Sequence, residues 1–401
     1  MRHWALALGL ATAAVLAGCS AQAARVPLVG PEVLAKAGLK YYWNFQQKLE
    51  PGESMVRLWR MDENLYALTD RNRLLAIDAV RGLYKWSAPV APIEQKVFPP
   101  CHADNVLVPE KTGIADLLDP APREQFTPFN AVIINTLSCA LMINRDTGRV
   151  VRRMDLKFAA NTGGSSDGTY FYVADVGGRY HAVRLSEGLV QWSQRTDDMI
   201  SVRPQVVSRR LFVASYDQTF YAVSPEASRD RTIWSYKTDG ALTADFHVDA
   251  RGCFVPSQDY NLYAVDALTG ANLWTFRAQG PLMSGVQVGP KSCFQYADND
   301  RFYAIDIANG RKRWDSQEAR LVLAADETFA YVLTADRKLL KINELTGQAE
   351  TNLPMNGLDL FVGNAAKPVL YAATAGGKLV CIRPEAAPAL TEAMLKDRPE
   401  K

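Results

Sequence analysis

The stretch Leu262-Tyr263-Ala264-Val265-Asp266-Ala267-Leu268-Thr269-Gly270-Ala271-Asn272-Leu273-Trp274 decides the fold. An apolar run of β-formers reads as a strand, Asp266 to Gly270 as a tight turn, and the segment ending in Trp274 as the returning strand. Gly takes positive φ at little cost, and Asp can cap its own backbone. Residues 302–314 are a near copy, and 75–86 and 181–192 are further ones. Tyr221-Ala222-Val223 followed by Trp234 repeats the unit with a longer turn. Met142-Ile143-Asn144 with Thr147-Gly148, and Lys341-Ile342-Asn343 with Thr346-Gly347, are weaker copies. Val380-Cys381-Ile382 is a truncated one.

Aligned on the Ala264 position, the copies fall at 76, 142, 182, 222, 264, 304, 341 and 381, at intervals of 66, 40, 40, 42, 40, 37 and 40. Each unit holds four short runs of β-formers bounded by Gly, Asp and Asn, as in the segment from Ser201 to Trp234. No unit carries a 3.6-residue apolar period, which sets helical solenoids aside. Forty residues per four-stranded antiparallel unit, repeated eight times, predicts an all-β, eight-bladed propeller. The last copy lacks its Trp strand, and Tyr41-Tyr42-Trp43-Asn44-Phe45 supplies a spare one at the start. The N-terminal strand is therefore expected to close the last blade and remove both open edges. The first interval is 26 residues too long, which predicts an insertion at about 111–136, between the second and third strands of blade 2. It carries the apolar residues Ile114, Leu117 and Leu118, the candidates for partner binding.

The chain opens on Met1-Arg2-His3 and an uncharged Ala- and Leu-rich run that ends at Gly18, too short to span a bilayer. The domain plan that follows is a signal peptide at 1–18, a tether at 19–40, the propeller at 41–383 and a polar tail at 384–401. Lys plus Arg number 45 and Asp plus Glu 43, so no basic surface recommends nucleic acid as a partner.

Each chemically suggestive motif has a plainer structural reading. Gly164-Ser165-Ser166-Asp167-Gly168 matches G-x-S-x-G, but a nucleophile elbow needs a strand–turn–helix and this is an inter-strand hairpin. His102, His181 and His247 fall in different blades without metal spacing. Asp298-Asn299-Asp300 lacks the Gly and distal Glu of a calcium loop. Trp43, Trp86, Trp192, Trp234, Trp274 and Trp314 recur with the repeat and read as blade-docking residues rather than a sugar-stacking platform. After Cys19, the five remaining cysteines look like small core hydrophobes; none is expected to pair. No catalytic group, cofactor or metal is expected.

Leu16-Ala17-Gly18-Cys19 resembles the bacterial lipobox, which implies lipidation of Cys19. Ser20 implies sorting to the outer membrane, facing the periplasm. The pattern Ala264–x–Asp266–x–x–Thr269–Gly270–x–x–x–Trp274 resembles the repeat of the quinoprotein (PQQ-type) propellers. Quinoprotein dehydrogenases are much longer and hold a vicinal Cys-Cys pair that this chain lacks. Lipobox, size and blade number together are most similar to the BamB family of the outer-membrane β-barrel assembly machinery. That resemblance implies a non-catalytic lipoprotein scaffold, a monomer within a complex, binding through its loops a protein partner such as the barrel-forming outer-membrane subunit. Two other readings stand beside it: a periplasmic lipoprotein propeller that binds another protein or a polysaccharide, and a PQQ-dependent dehydrogenase.

Overall fold

In the computed structural model, which describes residues 27–108 and 127–391, each repeat is one four-stranded antiparallel sheet. There are eight such sheets, and the one helix among the described residues is Pro31–Ala35. The chain is thus the eight-bladed propeller that the repeat predicts. In seven blades the four strands follow in chain order. In the eighth, Leu39–Gln46 pairs with Lys378–Pro384, which continues to Leu370–Ala373 and Leu360–Phe361. The N-terminal strand closes the ring as the fourth strand of the last blade.

The repeat register holds in every blade. Ala76 pairs with Trp86, Met142 with Arg152, Ala182 with Trp192 and Ala222 with Trp234. Ala264 pairs with Trp274, Ala304 with Trp314, Lys341 with Thr351, and Cys381 with Trp43. A β-bulge interrupts each of these ladders beside the anchor. Such a bulge raises the local twist and re-aims a side chain, here the Trp of the fourth strand. The core lies in layers between neighbouring blades: Tyr66, Leu74 and Trp86 of blade 1 pack with Val132, Ile134 and Ile143 of blade 2.

Because strands alternate in direction, each blade has two kinds of loop. First-to-second and third-to-fourth turns share one face, here the turn face. Second-to-third turns and the blade-to-blade links share the other, the connection face.

Two boundaries differ from the sequence reading. Phe129–Asn135 is the second strand of blade 2, paired with Cys101–Val106, so the extra segment spans 107–128 and joins the first strand to the second. It does not follow the second strand, and it opens on the turn face rather than the connection face. The reason is Asp104-Asn105. This pair lies inside the first strand, where Asn105 has φ 52° and sits in a bulge between Ala103 and Val106. The tether also ends earlier than residue 40. Val29, Leu34 and Leu39 are buried in the core shared by blades 7 and 8, and Val29 N–H donates to Asn356 O at 3.2 Å.

Candidate functional site

Each of the six tryptophans meets the third-to-fourth turn of the next blade. A Cβ placed on Gly82 would lie 2.5 Å from the Trp43 ring, on Gly148 2.6 Å from Trp86, on Gly270 2.8 Å from Trp234 and on Gly310 2.7 Å from Trp274. On Gly347 it would meet Trp314 at 2.4 Å. Each of these five Trp side chains thus presses on the Thr-Gly-type turn of the next blade, whose glycine adopts positive φ. Trp43, Trp86 and Trp274 Nε1 donate to the carbonyls of Ala79, Arg145 and Ile307 in those turns. The turn after Trp192 has no glycine, and the Arg231 guanidinium stacks over that ring at 4.2 Å. Arg152 holds the Trp position in blade 2, and Gly188 meets Met154 and Arg152 instead.

The sequence candidates for chemistry are engaged in the repeat's own bonding. Ser166 Oγ donates to Tyr170 O at 2.8 Å and accepts from Gly168 N–H at 3.1 Å, closing a hairpin. Asp298 accepts from Met283 N–H, and Asp300 from the Tyr303 hydroxyl. The described cysteines, Cys101, Cys139, Cys253, Cys293 and Cys381, are free and buried. Burial pushes the Cys101 thiol up to about 12, well away from a reactive thiolate. Cys19, Ile114, Leu117 and Leu118 lie outside the described residues.

One constellation escapes sequence reading. His181 Nδ1 lies 2.7 Å from Ser193 Oγ, and its Nε2 lies 3.1 Å from Asp175 Oδ2. The ring stacks on Phe158 at 3.7 Å. A Ser–His–Asp line invites a hydrolytic reading. The other blades argue otherwise: Tyr221, Tyr263 and Tyr303 stand at the same repeat position and donate to Asp217, Asp259 and Asp300. His181 stands where those tyrosines stand and likewise meets an Asp of the second-to-third turn, but Asp175 opens its turn, at the place of Ser215 and Ser257. Ser193 sits mid-strand opposite His181, on the outer strand of the blade.

A second cluster bridges blades 1 and 2 on the turn face, beside the point where residues 107–128 leave. Asp62, Glu63 and His102 bring ligand atoms within 4.8 Å of one another. His102 Nδ1 lies 2.7 Å from Asp62 Oδ2, and its Nε2 lies 2.9 Å from the Tyr66 hydroxyl. Arg145 stands among them, with Nη1 2.9 Å from both His102 Nδ1 and Asp104 Oδ1 and Nε 3.1 Å from Glu63. Its permanent charge neutralises the carboxylates and repels a divalent ion, so the group does not fit a metal. Burial pushes the His102 imidazole below its ordinary value, Arg145 adds to this, and Asp62 opposes it. The cluster is an ion-pair net that ties two blades together.

The connection face carries an apolar series. Leu137, Val176 and Tyr216 are each second in the second-to-third turn of blades 2, 3 and 4. Leu137 is 44% and Val176 55% exposed; Tyr216 and the neighbouring Met199, whose carbonyl accepts Tyr216 N–H, are half-buried. Adjacent apolar groups on loops held by a rigid ring suit protein binding.

Residues 140–240 and 226–384 match the sequence family described as outer membrane protein assembly factor BamB. The chain belongs to this BamB family. No curated protein matches it in sequence. Among solved structures, BamB from Moraxella catarrhalis superposes with a TM-score of 0.64 at 13% identity, covering 88% of this chain and 99% of that one. The computationally designed Ika8 protein superposes with a TM-score of 0.59 at 12% identity, over 82% of this chain and 96% of its own. At such identity these likenesses speak for the fold; membership of the BamB family rests on the sequence match.

Proposed function

We propose that the protein is a lipid-anchored scaffold at the periplasmic side of the outer membrane, which binds a protein of the β-barrel assembly machinery and catalyses no reaction. The observation that carries this reading is the BamB-family match across 140–384. The lipobox at Leu16–Cys19 supports the anchor. The polar side chains of every weighed constellation being committed to turns and blade contacts supports the absence of catalysis. The partner docks on the connection face at Leu137, Val176 and Tyr216; Ile114, Leu117 and Leu118 are the second candidates.

Affinity capture after crosslinking in cells tests this. Leu137→Asp with Val176→Asp should lose barrel-assembly proteins from the captured set, while replacement of 109–126 by a short Gly-Ser link should retain them. Loss with the link alone moves the site to the turn face. Capture of no barrel-assembly protein by the wild type, with outer-membrane barrel levels unchanged on deletion, sinks the reading. Quinone absorbance retained after mixing with PQQ and Ca²⁺ would instead revive the dehydrogenase.

A further inference from the structure

We propose that the connection face at blades 7 and 8 is the side of the propeller held against the lipid surface, and that the turn face points away from it. The inference rests on the reading that Cys19 carries the lipid, and goes beyond it by assigning an orientation.

The argument starts from where the chain is first pinned. Val29 is 5% exposed, its N–H donates to Asn356 O, and its carbonyl accepts from the Tyr41 hydroxyl at 2.7 Å. Asn356 lies in the link from blade 7 to blade 8, on the connection face. Leu28 lines a groove of about 680 Å³ there, with Arg337, Met355, Asn356 and Thr374. From Val29 the chain crosses to the turn face, with Leu34 fully buried on the way. Gly38 O meets Glu385 N–H at 2.8 Å on that side, and Leu39–Gln46 then runs back. The anchor-side chain thus enters the ring on the connection face only.

Nine residues lie between Cys19 and Val29, which makes ten Cα–Cα steps. At ~3.3–3.6 Å per residue they reach at most about 36 Å. The eight-residue strand Leu39–Gln46 crosses the ring over roughly 26 Å at ~3.3 Å per residue. To bring the turn face to the lipid, the tether would have to climb that whole distance along the rim, close to its full extension. With the connection face down it needs no such detour. The same geometry sets Leu137, Val176 and Tyr216 on the membrane-facing side.

The test uses the full lipidated chain in phospholipid vesicles bearing nitroxide-labelled headgroups. A fluorophore is placed by Arg337→Cys, in the second-to-third turn of blade 7, or by Leu345→Cys, in the third-to-fourth turn of the same blade. Arg337 and Leu345 are both exposed, whereas the described native cysteines are buried, so labelling is selective. The expected result is a greater loss of fluorescence at 337 than at 345. Equal or reversed quenching on protein that mass spectrometry shows to be lipidated overturns the orientation alone. Protein without lipid on Cys19 overturns the anchor reading and the orientation with it.

Discussion

Gly310 and Gly38 have nearly the same backbone, φ 71° and 67°, in different surroundings. A methyl on Gly310 would meet the Trp274 ring at 2.7 Å, whereas on Gly38 it would find nothing within 4 Å. Gly38→Ala should therefore cost only the left-handed backbone penalty, about 1–2 kcal/mol. Gly310→Ala adds a displaced Trp, for a total of roughly 2–4 kcal/mol. Denaturant midpoints of the two variants measure the difference; equal losses would refute the docking role of the turn glycine. His181 makes a second test. Burial holds its imidazole below the ordinary value, against the pull of Asp175. The unfolded chain takes up a proton near pH ~6.5, while the folded one resists until lower pH. The stability is thus present above ~6.5 and lost as pH falls through the folded value. His102 and His247 are depressed by burial in the same direction. His181→Tyr restores the residue that blades 4, 5 and 6 use, and should fold while showing a shallower fall in Tm between pH 7.5 and pH 5.5, taken as about one unit either side of the imidazole value. An unchanged pH slope would remove His181 from the account.

At the scale of the element, the outer half of each blade is legible in the sequence because an Asp, a Gly and a Trp recur at fixed spacing and each does a local job. Asp78, Asn144, Asp266, Asp306 and Asn343 accept N–H groups of their own turns, as the motif suggests. The inner half is not legible. The first strands of five blades are only two or three residues long: Ser165–Ser166, Gln205–Val207, His247–Asp249, Gln287–Val288 and Leu360–Phe361. Side chains hold them to their neighbours: Ser165 Oγ accepts Val206 N–H, Gln205 Nε2 donates to Phe246 O, and Gln287 bonds both backbone groups of Val322. Such bridges follow no alternating pattern, and neither does the Asp104-Asn105 bulge that misplaces the insertion. The Asp62–His102–Arg145 net was illegible for another reason, since it draws on two blades whose contact no spacing announces. The corrected position of the insertion carries its own prediction. Because 107–128 joins adjacent antiparallel strands, replacing 109–126 by a short Gly-Ser link leaves a simple hairpin. Its Tm should stay within a few degrees of the wild type, corresponding to less than about 1 kcal/mol. A large drop would mean that the segment packs into blade 2.

The whole ring is held at one seam. Where the Trp of blade 7 would dock, blade 8 has no third-to-fourth turn, because its fourth strand comes from the other end of the chain. Thr351 stands at that Trp position, and Val29, Leu34 and Ala37 fill the interface between the two blades. One blade further, Trp43 restores the ordinary contact: its Nε1 donates to Ala79 O at 3.1 Å, and the Tyr371 hydroxyl donates to the same carbonyl at 3.1 Å. A single carbonyl of blade 1 thus receives a bond from each end of the chain. Trp43→Ala leaves a cavity against Gly82 and unpairs this contact, at a cost of about 3–5 kcal/mol. A domain of typical stability holds only about 5–15 kcal/mol in total, so the loss bears on the whole molecule. Trp86→Ala removes an equivalent residue, 5% exposed against 7% for Trp43, from a blade whose four strands are continuous in sequence. The two variants should lose similar equilibrium stability, yet differ in how they open. At the seam, loss of Trp43 frees a strand held by one neighbour, so hydrogen exchange should rise first across 39–46 and 378–384. In the Trp86 variant, protection should fall around blades 1 and 2 instead. Uniform loss of protection in both variants would show that the ring melts as one unit and that the seam is no weaker than any other joint.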